Sequence, residues 1–486
     1  MFLLLDQFSQ ISGNKLNLHK SELFLINKEA QELTFRDLPF KVAHNQFTYL
    51  GITVTRKFKD LFHENFANLS YTIKQSLVQW SSLSMSLVGR INVVKMYVLP
   101  KFLYLFQSIP IFIPKSFFDS LDSIILSYLW KNKRSRINKI HLQKSKKECG
   151  MALPNFGLYY WAANIRCATF WSFFHGQPEC PNWVAMELSS TKELSISALL
   201  GSALPSSLSR LIANPLVRHT LRIWAQFRKC YGFHGFSVSS PVIHNHFFLP
   251  TTYNSAFQVW YRKGIRRFED LFIDNRFASF QQLSVKFSLP NAHFFSYLQI
   301  RHFIAPLIPN IPEMPVKNVM DLFLSINPLG KGLISIIQDK LAALRRAPVD
   351  KIKMAWEHDL NTLSDECWDS IFKSVNSTSL CARHCLLQFK IVHRAHMSKS
   401  KLSRLYPDIS PLCDKCKRGV ASLIHMYWFC PSLEKFWKDV FTTLSYILNQ
   451  HLEPNPLIAL FGFWGETDLR LESDQMPNII LCLSPG

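Results

Sequence analysis

The stretch MSLVGRINVVKMYVLPK (residues 85–101) decides the fold class. Four apolar side chains in it are separated by four, three and four residues: Leu87, Ile91, Val94 and Val98. This spacing places them in one stripe at 3.6 residues per turn, whereas Arg90 and Lys95 lie outside the stripe. The stretch therefore predicts a helix that buries one side and offers cations on the rest. Pro100 should stop or kink this helix, because proline lacks an amide donor and clashes with the preceding turn.

The sequence before this helix changes from strand to helix. FTYLGITV (47–54) is aromatic and β-branched with Gly51 inside it, which predicts a strand pair or a β-turn where another backbone comes close. Helical spacing predicts further helices over 60–81 and 116–130. The predicted fold class is therefore mainly α with a small N-terminal β element.

The segment that follows these helices is strongly basic. We call residues 131–147 the basic segment. It contains eight cations and no acid. The cations are Lys131, Lys133, Arg134, Arg136, Lys139, Lys144, Lys146 and Lys147. A solvated surface loop is one interpretation, but uncompensated charge beside packed helices favours contact with phosphates. We predict nucleic-acid contacts from this segment and from Arg90 and Lys95.

The composition favours a polyanionic partner and also limits the number of domains and the cellular compartment. Across 486 residues, 55 Lys and Arg outweigh 34 Asp and Glu, and the net charge of +21 favours nucleic acid before an anionic membrane surface. The length allows two to four domains. The 11 cysteines without a secretory leader predict an intracellular, reducing compartment, with the nucleus and a cytoplasmic ribonucleoprotein both left open. Residues 97–114 contain three prolines and are predicted to be buried and broken, not a membrane span.

Four metal-type side chains fall within 18 residues near the C-terminus. They follow the spacing Cys413-x2-Cys416-x8-His425-x4-Cys430. Two cysteines separated by two residues can reach one ion from a tight turn, and a later His and Cys can complete a tetrahedron, which predicts structural zinc. Unrelated thiols are the plain alternative. Four side chains just upstream are rival ligands with less regular spacing: His384, Cys385, His393 and His396.

Seven stretches in this order resemble the C-terminal half of the reverse transcriptase polyprotein of non-LTR (LINE-type) retrotransposons. They are FSQISGNKLNLHKSELFL (8–25), YLGITVTR (49–56), LVGRINVVKMYVLPKFLYLF (87–106), FFDSLDSIILSYLWKNKRSRI (117–137), GMALPNFGLYYWAANI (150–165), FFSYLQIRHFI (294–304) and the Cys/His cluster with its trailing Phe436-Trp437. Each stretch alone is a weak match, but together they cover most of the chain.

The resemblance implies a division of the chain. Residues 1–55 would be the C-terminal remnant of the polymerase palm, with Tyr49, Leu50 and Gly51 in the place of the primer grip. Residues 56–177 would be a thumb-like basic helical domain and 178–400 a helical connection. A zinc-binding knuckle over 401–450 and a truncated tail over 451–486 would follow. The resemblance further implies RNA, DNA or an RNA–DNA duplex as the partner.

One departure from the family bears on catalysis. The paired aspartates of the palm would lie upstream of residue 1, and no Asp-Asp pair occurs in this sequence. Two-metal phosphoryl transfer needs carboxylates that converge on two ions. We therefore expect no catalytic metal, and no polymerisation by this chain alone. Two rival classes stay open: an orphan helical fragment with a structural or interaction role, and a sequence-specific zinc-finger regulator. The second is weaker, because a single knuckle supplies few base contacts.

Overall fold

The chain is mainly helical in a computed structural model. The model describes residues 2–32, 40–177, 179–191, 195–201, 212–233, 236–307, 319–345, 350–360, 362–375, 379 and 381–463. The predicted fold class is confirmed at the level of many helices with a few short strands. The palm, thumb and connection assignments stay predictions, and most of the predicted tail, residues 464–486, lies outside the described residues.

Helices make up most of the described structure. The α-helices are Phe2–Ser12, Lys28–Glu32, Asn68–Trp80, Leu87–Val93, Leu99–Ser108, Lys115–Trp130, Lys139–Gln143, Phe156–Phe173, Asn182–Ser189, Ile196–Leu200, Pro215–Cys230, Pro250–Tyr253, Ala256–Arg262, Phe280–Phe287, Phe294–Ile304, Val319–Leu324, Leu333–Leu344, Asp350–Glu357, Asp365–Ser374, Ala382–Val392, Lys399–Leu405, Glu434–Leu448 and Pro456–Phe461. Three π-helical turns cover Phe62–Ala67, Val94–Val98 and His425–Phe429. Single 3₁₀ turns cover Leu18–Lys20, Phe58–Asp60, Lys146–Glu148, Phe268–Leu271, Asn291–His293 and Pro431–Leu433.

Within the described residues, the strands form three two-stranded sheets. Glu22–Phe24 pairs in parallel with Lys41–Ala43, and Phe272–Ile273 pairs antiparallel with Arg276–Phe277. The third sheet, Gln46–Tyr49 with Ile52–Thr55, is the strand pair predicted from residues 47–54. Its register, Tyr49 opposite Ile52, leaves only two residues in the turn.

A buried asparagine holds this hairpin to the next helical turn. The Asn65 side chain accepts a hydrogen bond from the Thr53 amide and donates one to the Thr53 carbonyl, both at 2.9 Å. It therefore pairs with the second strand as a neighbouring backbone would. The same amide group donates to the Leu61 carbonyl at 3.0 Å.

The helices predicted over 60–81 and 116–130 are both present. The first is a π turn followed by Asn68–Trp80, with Phe66, Ile73 and Leu77 buried. The second is Lys115–Trp130, which buries Leu121 and Ile125. Full burial of each such side chain stabilises the fold by about 1.5–3 kcal/mol.

The central stretch forms the predicted helix, but Pro100 does not stop it. Helical backbone continues from Leu87–Val93 through the π turn and Leu99–Ser108. In the π turn, the Leu99 amide donates to the Val94 carbonyl five residues back. This wider turn lies directly before the proline, where an ordinary α turn would clash with the ring. Of the two predicted outcomes, a stop or a kink, the stop is therefore wrong, and the proline is accommodated by a π turn.

The chain divides into two compact units, each built from separate segments. Unit 1 contains 1–75, 101–118 and 156–341, and unit 2 contains 76–100, 119–155 and 342–486. In unit 1 an aromatic cluster joins Phe66, Phe102, Phe106 and Tyr160, with ring centroids 5.4–6.0 Å apart. A second core in unit 1 is formed by residues between Val238 and Ile304, with Trp260 and Phe268 fully buried.

Unit 2 contains the stripe of the central helix and the Cys/His cluster. Ile91, Val94 and Val98 are at most 1 % exposed. Trp356 is buried as well, and its indole N–H donates to the Val392 carbonyl at 2.9 Å. Every element of the two candidate sites described next, except the hairpin tip, belongs to this unit.

Within the described part of the chain, no helix has both the length and the apolar character needed to cross a bilayer. Residues 97–114, predicted to be buried and broken, contain the helix Leu99–Ser108.

Candidate metal centre and nucleic-acid interface

The structure brings the four predicted metal ligands together. The ligand atoms of Cys413, Cys416, His425 and Cys430 all lie within 4.8 Å of one another. The Sγ atoms of Cys413 and Cys430 are 3.8 Å apart, and the Sγ atom of Cys416 is 3.4 Å from the His425 Nε2 atom. Tetrahedral zinc, with bonds of about 2.3 Å to sulfur and 2.0–2.1 Å to nitrogen, requires edges of about 3.8 and 3.6 Å. The group could therefore hold one metal ion, and its dimensions fit zinc.

A tight loop and a π turn position these four ligands. The first two cysteines lie in a tight loop, in which the Cys413 amide donates to the Gly419 carbonyl at 2.8 Å and Lys417 adopts a φ of 57°. His425 is the first residue of the π turn His425–Phe429, and Cys430 follows its last residue. The Cys430 amide donates to the His425 carbonyl at 3.0 Å. The π turn thus brings a His and a Cys that are five residues apart in sequence into the same group of ligand atoms.

Gly419 is a site residue that the spacing argument missed. A Cβ atom at this position would lie 2.6 Å from Cε1 of the His425 ring, closer than real contacts allow. Only glycine therefore lets the imidazole approach the cysteine loop. The available signal was a lone glycine between the second cysteine and the histidine.

The environment of the thiols suits a cation. The backbone amides of Gly419 and Arg418 lower the pKa of the Cys416 thiol to about 6. Burial, followed by the neighbouring thiols, raises the pKa of Cys430. Three thiolates this close together repel one another, and a divalent cation would stabilise them together with the neutral imidazole.

The ligand group packs against the helix that follows it in sequence. Cys413 and Cys430 belong to a buried cluster with Trp437, Phe441 and Leu444. These three side chains come from the helix Glu434–Leu448. The Trp437 indole N–H donates to the Tyr427 carbonyl at 2.9 Å, which fixes the π turn to the helix.

The rival ligands are not part of the group. The His393 Nε2 atom hydrogen-bonds the Cys149 carbonyl at 2.7 Å, and the Cys385 thiol donates to the Ser379 carbonyl at 3.0 Å. The His384 ring lies 3.4 Å from the Ser379 hydroxyl. His396 packs its ring against Tyr427 at 5.8 Å between centroids. Among the described residues, the predicted quartet is the one metal-type group.

Arg90 and Lys95 differ in how far their charges are shielded. Arg90 is 1 % exposed, and its guanidinium donates to the Tyr128 carbonyl at 2.6 Å and to the Met85 carbonyl at 3.3 Å. The predicted nucleic-acid contact of Arg90 is therefore wrong. Lys95 is half-buried, its ammonium donates to the Met151 carbonyl at 2.9 Å, and burial lowers its pKa. Its contact with nucleic acid stays a prediction.

The basic segment itself is largely on the surface. Five of its cations are exposed and form no ion pair with any acid in the described ranges: Lys131, Lys133, Arg134, Arg136 and Lys147. Lys139 is the exception, because its ammonium pairs with Asp122 at 2.5 Å and both groups are largely shielded. Lys144 is half-buried and Lys146 exposed, and each has an interaction partner. The segment is thus a charged surface with one internal anchor.

The predicted primer-grip-like residues form the tip of the hairpin in unit 1. Leu50 and Gly51 both have positive φ, at 48° and 78°, as a two-residue type I′ turn requires. Tyr49 and Leu50 are 63 % and 72 % exposed. The Tyr104 hydroxyl donates to the Leu50 carbonyl, which fixes the turn but leaves both side chains in solvent.

No protein-family model matches the chain. The geometry of these groups is therefore the basis for assigning a function.

Proposed function

We propose that the chain binds nucleic acid through the basic segment, with an RNA–DNA template–primer duplex as the preferred partner. The observation that carries the proposal is the set of five exposed cations without acidic partners on one short surface segment. Repulsion among such charges is relieved when phosphates replace the counterions around them. The net charge of +21 adds long-range attraction for the same partner.

We also propose that the Cys/His group holds structural zinc. All four tetrahedral positions would be filled by protein atoms, so no position would remain for a catalytic water. The ion would join the cysteine loop to the π turn and hold both against the helix Glu434–Leu448. This proposal rests on the distances between the ligand atoms given above.

The resemblance adds the proposal that the chain derives from a LINE-type reverse transcriptase. Under this proposal the basic segment belongs to a thumb that holds the template–primer, and Tyr49 and Leu50 approach the primer end. Polymerisation would then need a palm supplied by another chain or by upstream sequence, because the paired aspartates are not in this sequence.

The test is a binding isotherm for a labelled RNA–DNA template–primer, repeated across a salt series. In the test variant, four exposed cations are replaced: Lys131→Gln, Lys133→Gln, Arg134→Gln and Lys147→Gln. We expect tight binding at low salt, a steep fall in affinity as salt rises, and a salt slope reduced by about one for each lost phosphate contact in the variant.

The control carries the same charge change on unit 1. Its four replaced lysines are exposed as well: Lys229→Gln, Lys286→Gln, Lys331→Gln and Lys340→Gln. An equal loss of binding in both variants would assign the effect to net charge and reject the basic segment as the site. Weak, salt-independent binding by the unchanged protein would favour the orphan-fragment class instead.

A further inference from the structure

A second group of basic side chains lies in unit 2, far from the basic segment in sequence. Lys390 is in the helix Ala382–Val392, Lys401 is in the helix Lys399–Leu405, and His396 lies between the two helices. All three side chains are half-buried. Neither lysine forms an ion pair with an acid in the described part of the chain. Lys390 is a single cation among apolar residues, and Lys401 belongs to the short stretch KSKLSR (399–404), so neither is part of a long basic run.

A ring contact brings this group to the basic segment: the centroid of the His393 ring lies 5.6 Å from that of His141, which belongs to that segment. The helix Ala382–Val392, which contains Lys390, also packs against Leu87–Val93 in the same unit. At the end of the first helix, His393 hydrogen-bonds the Cys149 carbonyl at 2.7 Å. Arg136, from the basic segment, is close enough for its charge to lower the pKa of Lys390 and of His396.

The same group also reaches the candidate zinc site. The His396 ring packs against Tyr427 of the π turn, and the Ser400 amide donates to the Ala421 carbonyl at 3.1 Å. The group therefore lies between the basic segment on one side and the metal-type cluster on the other, inside one compact unit.

The charges in this group are not neutralised by neighbouring acids. Lys401 lies beside Arg394 and Arg404, and its ammonium donates to the Arg394 carbonyl at 2.6 Å. The nearby acid, Asp359, is already paired with Arg394 at 2.5 Å. The His396 Nε2 atom is buried and makes no hydrogen bond within the described residues. Hydrogen-bond donors and positive charges thus lie together here, and no described acidic side chain forms an ion pair with Lys390 or Lys401.

We propose that Arg136, Lys390 and Lys401 form one binding site for consecutive phosphates of a nucleic-acid backbone, continuous with the basic segment. The site rests on the function proposed above and extends it towards the zinc-type cluster. Two half-buried lysines and one exposed arginine, from three separate segments, suit a narrow phosphate chain. A lipid surface would favour fully exposed side chains on one plane.

The direct test is lysine acylation of the full chain, followed by mass spectrometry, with and without the RNA–DNA duplex. Burial and the neighbouring cations lower the pKa of both Lys390 and Lys401. We expect both to react readily in the protein alone, and the duplex to slow their acylation at least tenfold. Lys331 and Lys340, exposed on unit 1, serve as internal controls whose rates should not change.

The pattern of protection separates the two proposals. Protection of Lys131 and Lys133 without protection of Lys390 and Lys401 would overturn this site and leave the function of the basic segment intact. Absence of protection at all four lysines would overturn both. Protection of Lys390 and Lys401 by anionic phospholipid vesicles but not by the duplex would assign the site to a membrane surface and reject the proposal.

A double variant supplies the second measurement. We expect Lys390→Gln with Lys401→Gln to lower the salt slope of duplex binding by about two, because each lost phosphate contact removes about one unit. The matched variant Lys331→Gln with Lys340→Gln should leave the slope unchanged. Thermal unfolding in parallel shows whether the double variant is folded. A folded double variant with the unchanged slope would overturn the site.

Discussion

Arg90 and Arg134 are the same residue type in one compact unit, but their environments are opposite. Arg90 is buried, donates to the carbonyls of Tyr128 and Met85, and places its guanidinium 5.3 Å from the centre of the Tyr128 ring. Arg134 is exposed and has no ion-pair partner among the described acids. We expect Arg90→Met to lower the free energy of unfolding by about 2–3 kcal/mol, because buried carbonyls lose charged donors. Urea unfolding measures this loss.

Arg134→Met is the matched control, since it removes the same group from solvent. It should leave the unfolding free energy within about 0.5 kcal/mol and lower the salt slope of duplex binding by about one. Arg90→Met should leave that slope unchanged once the folded fraction is accounted for. If Arg90→Met lowered the slope without loss of stability, the assignment of Arg90 to the interior would be wrong.

At the scale of single elements, the hairpin tip combines an exposed apolar side chain with an unfavourable backbone. Leu50 has a φ of 48°, and left-handed backbone costs most L-residues about 1–2 kcal/mol. Asparagine tolerates this region better, so we expect Leu50→Asn to raise the free energy of unfolding of unit 1 by about 0.5–1 kcal/mol.

Gly51→Ala should lower the free energy of unfolding of unit 1 by about 1 kcal/mol. The loss would come from the positive φ of the backbone and not from a clash, because a Cβ atom at this position meets no atom within 4 Å.

Differential scanning calorimetry of both variants checks these signs. A destabilising Leu50→Asn would mean that the leucine side chain is held by contacts that outweigh its backbone conformation. A stabilising effect would show instead that leucine is retained at the tip at a cost in stability, as strained residues at binding sites often are.

The sequence predicts well those elements in which apolar residues recur at a regular spacing. Asn68–Trp80 and Lys115–Trp130 follow directly from the spacing of their apolar side chains, and so does the hairpin from its composition. The π turns were not predictable, because the same apolar spacing fits an α or a π turn. The continuation past Pro100 and the geometry at His425 both depend on such turns.

At the scale of the whole molecule, the metal quartet was predictable because it is local in sequence, whereas the two units were not. Each unit combines three segments, and contacts such as His393 with Cys149 join residues more than 200 positions apart. Charge composition indicates a polyanionic partner but does not say which cations are buried. Arg90 was assigned to the surface for that reason, although it is 1 % exposed.

The division into units predicts a local response to loss of the metal. Structural zinc sites contribute about 10–16 kcal/mol in small zinc-binding peptides, which is comparable to the whole stability of a domain. We expect a zinc chelator to increase amide hydrogen exchange strongly in residues 411–430 and in the helix Glu434–Leu448, whose core includes Cys413 and Cys430. Exchange in the second core of unit 1, around Trp260 and Phe268, should not change.

Two cysteine variants make this expectation specific to the ligand group. Cys416→Ser should reproduce the effect of the chelator without any addition, because it removes one of the four ligands. Cys381→Ala, at an exposed thiol outside the group, should behave as the unchanged protein. Acid should mimic the chelator, since protons compete with the ion for the thiolates and the imidazole. An equal increase in exchange over both units would mean that the ion supports the whole chain, and no increase at all would refute the structural zinc.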